Sequence, residues 1–413
     1  MAGHNARLDQ RFMSLALTLG RRGLGNTWPN PAVGAVVVRH DGEPVIVGRG
    51  WTQPHGRPHA ETEALRRAGA AARGATLYAT LEPCSHQGKT PPCTDAIIAA
   101  GIGRVVSAIE DPNALAGRGH ALLRASGIAV DVGIGAAEAR RAHAGHIRRV
   151  SDHRPQIFLK LAVSADGKVG LAGRKPVPIT GEAARARVHL LRAMNDAILI
   201  GIGTALADDP QLTCRLPGMA ARSPVRVVLD PGLRLPVTGT LVRGVTETPV
   251  WVIAAEGAPT QAEAVLVARG VEVFRLPAIF SGEASAMGGG ERDSLAPQPD
   301  ARTLKTSPVA GTAPASAAPR TYRGFDLLAV LHLLAERGIT RLMVEGGPTV
   351  AAAFLASDLI DEVALLRGPL AIGPGGIDAL DGMPLDALAA SPKLRSLGVE
   401  TVGADTIETF ERA

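Results

Sequence analysis

ATLYATLEPCSHQGKTPPCTDAIIAAG, residues 75–101, runs from a β-branched and aromatic stretch through a loop with four prolines or glycines into a glycine-closed amphipathic segment. It reads as a strand over 75–81, a loop, and a helix from Cys93 to Gly101. That order sets Cys84 at the carboxyl end of a strand and Cys93 in a first helical turn, where free amides and the helix dipole favour a thiolate. The chain has only three cysteines, and each of these two follows a proline. The prolines stiffen a loop that has to present two sulfurs together.

The same alternation extends on both sides. Upstream stand a helical segment (10–22), short strands at 32–38 and 44–50 around the Asp41-Gly42 turn, and a helix over 59–72. Downstream come a strand at 104–110, a helix at 117–127 and a strand at 128–133. Strands alternating with helices of this length predict a buried sheet with helices on both faces, a three-layer α/β/α domain over 1–150. SDHRPQ (151–156) reads as a linker. A second α/β domain is expected over 151–413, with strands at 156–167, 196–203, 225–230 and 250–255 and a helix at 181–194. It is interrupted at 281–320, a Gly/Ala/Pro/Ser-rich segment expected to be a disordered insertion because it lacks the apolar residues to offset its ordering entropy. Order resumes with a helix at 325–338, a strand into a Gly-rich turn at 339–347, a helix at 348–357 and strands at 361–373 and 405–413.

At 413 residues the chain is too long for one ordinary core. Three cysteines exclude a disulfide framework. Asp9, Gln10 and Arg11 interrupt the apolar residues of the amino terminus, so no signal peptide is expected, and no apolar run is long enough to span a membrane. The cytoplasm is the expected compartment. The net charge of +5 comes from scattered lysines and arginines, and aromatic residues are 3%. Nucleic-acid binding is therefore not expected; the charge reads first as a solvated, arginine-rich surface, with a substrate that carries phosphate as the alternative.

In PHAETEAL (58–65), His59 opens a helix two residues before Glu61. One imidazole and two thiolates, His59, Cys84 and Cys93, make a tetrahedral zinc set lacking one ligand, the mark of a catalytic zinc whose open position takes water. Glu61 then serves as the proton carrier rather than a ligand. His-x-Glu followed by Pro-Cys and a second Cys is the pattern of zinc nucleobase deaminases, here with eight residues between the cysteines. The blander alternative is a structural zinc, for which His55 or His86 could supply a fourth ligand.

PNPAVGAVVV, PHAETEAL, GATLYATLEPCSHQGKTPPC and EDPNALAGRGHALL together resemble the deaminase half of the bacterial bifunctional riboflavin-biosynthesis deaminase–reductases. FLKLAVSADGKVG, the stretch 179–218, PVRVVLD and LMVEGGPTVAAAFL resemble the reductase half. The resemblance implies a cytidine-deaminase-like domain followed by a dihydrofolate-reductase-like domain. It implies zinc on His59, Cys84 and Cys93 with Glu61 moving protons, and Asn30, Lys89, Asp111 and Asn113 lining the deaminase pocket. The expected first reaction is hydrolytic deamination of 2,5-diamino-6-(5-phosphoribosylamino)pyrimidin-4(3H)-one, and the second is NADPH-dependent reduction of its ribosyl chain to ribityl.

For the reductase it implies NADPH on Ala162, Thr204, Asp208, Gly347, Pro348 and Thr349, and substrate on Leu212, Arg215 and Glu345. The turn VEGGPT, between a strand and a helix, has amides suited to phosphate. Asp166 and Lys168 read equally as hydride-site neighbours or as a surface turn. Two departures stand out. Thr52 occupies a place where the family often has a pocket histidine, with His55 nearby, and Pro176 and Pro178 replace the family's Ser and Trp. The rival readings are a deaminase with an inactive, scaffolding second domain, a nucleic-acid-editing deaminase and a non-catalytic zinc module. Homo-oligomerisation is expected.

Overall fold

The structure, a computed structural model, describes residues 2–171, 177–278 and 321–413. The expected insertion at 281–320 and Pro176 lie outside the described residues.

In the first half, helix α1 (Ala2–Gly20) precedes the antiparallel pair β1 (Gly34–Arg39) and β2 (Val45–Trp51). Then follow α2 (Ala60–Ala68), β3 (Thr76–Ala79), α3 (Cys93–Ala99), β4 (Arg104–Ser107), α4 (Gly119–Ala125) and β5 (Ala129–Val132). Helices α5 (Ala136–Ala142) and α6 (Ala144–Ser151) close this half. The sheet order is β2-β1-β3-β4-β5, with β1 antiparallel to both neighbours and β3, β4 and β5 parallel. Two glycines show how both faces are covered. The Ala16 carbonyl of α1 fills the space where a Gly34 side chain would stand, and the Ala60 carbonyl of α2 does so at Gly50. Gly34 and Gly50 belong to neighbouring rungs of the β1–β2 ladder, so they face opposite sides. The result is the expected three-layer sandwich, with Met13, Leu17, Val36, Leu77, Ile97 and Leu123 among its buried core.

The second half begins with β6 (Gln156–Val163) and β7 (Lys168–Leu171), then α7 (Glu182–Ala193), β8 (Ala197–Gly201), α8 (Ile202–Asp208) and β9 (Val225–Leu229). Next are α9 (Thr240–Arg243), β10 (Val250–Ala255), α10 (Thr260–Val267) and β11 (Glu272–Leu276). After the undescribed segment come the hairpin β12 (Thr321–Tyr322) and β13 (Phe325–Asp326), α11 (Leu327–Glu336), β14 (Arg341–Val344) and α12 (Pro348–Ala356). The chain ends with β15 (Glu362–Arg367), β16 (Gly376–Asp378), α13 (Ala387–Ala390), β17 (Leu394–Val402) and β18 (Asp405–Arg412). The large sheet has the order β11-β10-β9-β8-β14-β6-β15-β18-β17, and strands β11 to β15 in that order run parallel. Its two faces bury separate cores, one around Leu159, Leu199, Phe325 and Phe354 and the other around Ile198, Ile200, Val252 and Met343. The Gly-rich starts of α8 and α12 therefore meet at the carboxyl ends of adjacent strands β8 and β14, where open α/β sheets bind ligands.

The expected linker is short. Helix α6 runs to Ser151 and β6 begins at Gln156. Beside it Asp361 is ringed by Arg154, whose two nitrogens lie at 2.6 and 2.9 Å, Arg148 at 2.9 Å and Arg412 at 3.3 Å. The backbone N–H of Ile157 also donates to Asp361, at 2.8 Å. Across the seam, Trp28 of the first half meets Trp251 of the second edge to face, with centroids 6.4 Å apart. Trp251 in turn meets Phe274 at 5.6 Å.

His143, at the end of α5, is buried with Nε2 3.0 Å from the Thr80 hydroxyl. Burial, reinforced by neighbouring His146, pushes its pKa down to about 4. The folded protein thus holds this ring neutral, whereas an unfolded chain protonates it near 6.5. Between those values the unfolded state binds more protons, so stability falls as the pH drops from 6.5 toward 4 and is unaffected by this group above 6.5. The full difference is on the order of 3 kcal/mol. Thermal unfolding of wild type and His143→Gln at pH 7 and pH 5 checks this. The wild type is expected to lose more stability on acidification than the variant, and parallel losses would remove the assignment.

Candidate active sites

The first site is assembled by two helix starts and one strand end. His59 caps α2 with extended backbone, Cys93 opens α3 after Pro92, and Cys84 follows β3 by a short loop. His59 Nδ1 lies 3.3 Å from Cys93 Sγ and 3.6 Å from Cys84 Sγ. Nitrogen and sulfur bound tetrahedrally at zinc distances stand roughly 3.6 Å apart, so the three donors fit a zinc ion. Among the described residues, no other histidine, cysteine or carboxylate joins this cluster as a ligand. His55 and His86 are therefore not fourth ligands, and the open-site reading is the one the geometry matches. Cys84 is drawn down to about 4 by hydrogen bonding from Cys93, against the opposing effect of burial. The Cys93 N–H also donates to its sulfur, at 3.4 Å.

Glu61 is the second residue of α2, in its first turn, and 3% exposed. Burial pushes its carboxyl up to about 7, moderated by the charge of His59. It is a protonatable carboxyl beside the donor triad that is not counted among the ligands. Asn30 donates to the Gly56 carbonyl at 2.9 Å and lies 3.3 Å from His59 Nε2, so it stands behind the imidazole and orients it. Lys89 is exposed on the 85–91 loop.

Asp111 is held in a local network. Its carboxylate is buried, accepting from Asn113 N at 2.9 Å and lying 2.9 Å from His146 Nε2. Thr52 is buried too, donating to the Pro31 carbonyl and accepting from Val33 N, each at 3.0 Å. Its hydroxyl is engaged with backbone.

Three residues at this site escaped sequence reading. Glu82, next to the Pro-Cys step, accepts from Asp111 N at 3.1 Å and His120 N at 2.8 Å, tying the cysteine loop to the pocket loop. His146 reaches Asp111 from α6, and Arg57 bonds to the Thr90 hydroxyl on the 85–91 loop. Only Glu82 carried a signal, as an acidic residue at the end of an otherwise apolar strand.

The second site is a cleft of about 640 Å³ at the strand ends of the large sheet. Ala162, Thr204, Asp208, Gly347, Pro348 and Thr349 all line it, as does Glu345. Gly347 caps α12, with Pro348 at its first position. Its N–H donates to Thr204 Oγ1 at 3.0 Å, and a side chain at Gly347 would meet that hydroxyl at 2.8 Å. The bare backbone and the hydroxyl form a shallow cradle suited to a dinucleotide's phosphates.

Glu345 is bound by Lys160 at 3.1 Å and by Arg192 through two nitrogens at 2.8 and 3.0 Å. Burial pushes its carboxyl up, but the charges of Lys160 and then Arg192 outweigh this and hold it at about 2. Lys160 and Arg192 had no marker in the sequence, lying within an apolar strand and an ordinary helix. Leu212 is buried in the core with φ of 57°, and Arg215 is exposed with its guanidinium 3.2 Å from Gln211. Neither is among the residues lining this cleft. Asp166 accepts from Ser164 Oγ, Ile372 N and Gly373 N at 2.6–2.9 Å, and these bonds, the serine's first, hold its carboxyl well below the usual range. Lys168 pairs with Asp378 at 2.7 Å. The turn reading accounts for both.

A tetrahedral donor triad with a buried glutamate, joined to a dinucleotide cleft on a parallel sheet, defines a zinc-dependent deaminase coupled to a reductase. Residues 6–109 match the cytidine and deoxycytidylate deaminase zinc-binding region, and residues 155–407 match the RibD C-terminal domain. The chain belongs to the RibD family of bifunctional riboflavin-biosynthesis deaminase–reductases. It is 36% identical to riboflavin biosynthesis protein RibD of Aquifex aeolicus over 98% of this chain and 99% of that one. It is 37% identical to the Escherichia coli protein of the same name, covering 96% and 97% respectively. Among solved structures it resembles Acinetobacter baumannii RibD, with TM-score 0.78, 31% identity and 99% of both chains covered. It also resembles the Thermotoga maritima diaminohydroxyphosphoribosylaminopyrimidine deaminase/5-amino-6-(5-phosphoribosylamino)uracil reductase, with TM-score 0.76, 32% identity, and 99% and 100% covered. The protein is an enzyme of riboflavin biosynthesis, using zinc in its deaminase half and NADPH in its reductase half, and its substrates are small phosphorylated pyrimidines. No described helix is long and apolar enough to cross a membrane.

Proposed function

We infer that this chain first deaminates 2,5-diamino-6-(5-phosphoribosylamino)pyrimidin-4(3H)-one and then reduces its ribosyl chain to ribityl, with residues 1–150 carrying the first reaction and 151–413 the second. The observation that carries the reading is the 3.3 and 3.6 Å spacing of His59 Nδ1 from the two sulfurs beside buried Glu61. Zinc, when held by His59, Cys84 and Cys93, supplies Lewis acidity that brings the pKa of water toward neutrality. Glu61 takes a proton from the attacking water and delivers it to the departing amine nitrogen, so that ammonia leaves and a carbonyl remains. Asn30 fixes the imidazole. Asn113 reads the pyrimidine, and Lys89 meets the ribose phosphate. Asp111, locked between Asn113 N and His146, sets the shape of the pocket loop.

In the second site Ala162, Thr204, Asp208 and Gly347–Thr349 hold NADPH, which supplies hydride when bound. Glu345, immobilised by Lys160 and Arg192, orients the substrate, with Leu212 and Arg215 contributing from the neighbouring loop. The enzyme works in the cytoplasm as a homo-oligomer and takes no nucleic acid. The test is direct. Purified full-length protein given the diaminopyrimidine phosphate, zinc and NADPH is expected to release ammonia and oxidise NADPH in equal amounts. Ammonia without NADPH oxidation would favour a deaminase with a scaffolding second half, and release of neither overturns the assignment.

A further inference from the structure

We propose that Arg323 binds the 2′-phosphate of the dinucleotide and sets the enzyme's preference for NADPH over NADH, an assignment resting on the reductase reading above. Among the described residues, the charged groups lining the cleft are Lys160, Arg323, Asp208, Glu345, Asp378 and Asp381. Lys160 is committed to Glu345 at 3.1 Å. Asp378 is paired with Lys168 at 2.7 Å, and Asp381 accepts from Thr349 Oγ1 at 2.9 Å. Arg323 has no carboxylate within 4.0 Å among the described residues and is exposed. Among the described residues the lining carries more carboxylates than cations, and Arg323 is the one cation there without a carboxylate partner to offer a polyanion.

Its position in the chain points the same way. Arg323 and Gly324 form the two-residue turn of the β12–β13 hairpin, with φ of 45° and 87°. Positive φ at both positions is the type I′ turn, which favours asparagine, aspartate or glycine at the first. Arginine is strained there, and nothing in hairpin formation calls for its long side chain. Strain of this kind collects where a side chain is needed for binding. The hairpin is fixed by Tyr322, whose hydroxyl packs against Gly201 at the end of β8, beside Val350 of α12. The Arg323 guanidinium stands over the Tyr322 ring, 5.8 Å from its centroid. Arg323 therefore lies at the rim of the same cleft that carries the phosphate cradle of Thr204 and Gly347. An exposed guanidinium at a rim suits a phosphate monoester, to which it can present two parallel N–H donors. The bridging pyrophosphate is already served by the cradle.

Equilibrium titration of the full-length protein with NADPH and with NADH, followed by nucleotide fluorescence, tests the assignment. In Arg323→Gln the NADPH dissociation constant is expected to rise roughly 10- to 100-fold and the NADH constant to stay within a factor of two or so of wild type. Arg323→Gly removes the same head group and relieves the positive φ, so it is expected to lose NADPH affinity equally while unfolding at the same or a higher temperature. Equal weakening of both nucleotides, or unchanged NADPH affinity in the glycine variant, overturns the proposal. Wild type that binds neither nucleotide overturns the reductase reading itself, a separate outcome.

Discussion

Replacing Glu61 with Gln is expected to lower the rate of deamination by roughly 10³-fold while zinc content stays at one ion per chain. Glutamine keeps the size and one carbonyl oxygen of the side chain but cannot carry a proton from water to a leaving amine. Glu61 is 3% exposed on α2, and the near-isosteric glutamine leaves no cavity there. The zinc donors are His59, Cys84 and Cys93, which the substitution leaves in place. Metal analysis together with ammonia release separates the two effects. A variant that keeps its zinc and its wild-type rate removes the assigned role, and one that loses zinc shows Glu61 to be part of the metal's support instead. NADPH oxidation with the deaminated pyrimidine as substrate is expected to be unchanged, because the reductase cleft lies on the other sheet.

The second large effect is on stability. Asp361→Ala is expected to destabilise the fold by ~3–5 kcal/mol, the cost of stranding buried charge after one partner is removed. Asp361 is 4% exposed and draws together Arg148, Arg154 and Arg412, and it also accepts from the first strand of the second half. Arg154, itself 8% exposed, would be left without its bidentate partner. Asp358, three residues away, makes ion pairs with Lys393 and Arg412 at a half-exposed position. Its replacement by alanine is expected to cost less than about 1 kcal/mol, as for surface pairs generally. Urea unfolding of the two variants gives the comparison, and similar midpoints for both would contradict the reading of Asp361 as the anchor of the junction.

The zinc site was legible because its chemistry demands rare residue types on recognisable elements. His59, Glu61, Cys84 and Cys93 each stand at a helix start, in a first helical turn or past a strand end, and local patterning locates all of these. The sandwich around them was legible for the same reason, since β1, β3 and β4 are short runs of β-branched, aliphatic and aromatic residues between clear helices. The cofactor cleft followed from its glycines and from resemblance. What escaped were partnerships between residues far apart in sequence. Nothing local in α6 announces that His146 reaches Asp111, nor in FLKLAV that Lys160 meets a carboxylate in the 345 turn. Strand β17 was missed because most of its residues are exposed on an edge of the sheet, where no apolar alternation is required. The β12–β13 hairpin was missed because turn geometry, not hydrophobic pattern, defines it, and the β7–β16 pair because its short strands, Lys168–Leu171 and Gly376–Asp378, come from distant parts of the chain.

The edge-to-face indole pair at the seam has a practical consequence. The chain has three tryptophans, and two of them, Trp28 and Trp251, meet each other across the seam. Intrinsic emission from this enzyme is thus weighted toward the place where its two catalytic units meet. A red shift on mild denaturation, before helical content falls, would time their parting without any label being attached.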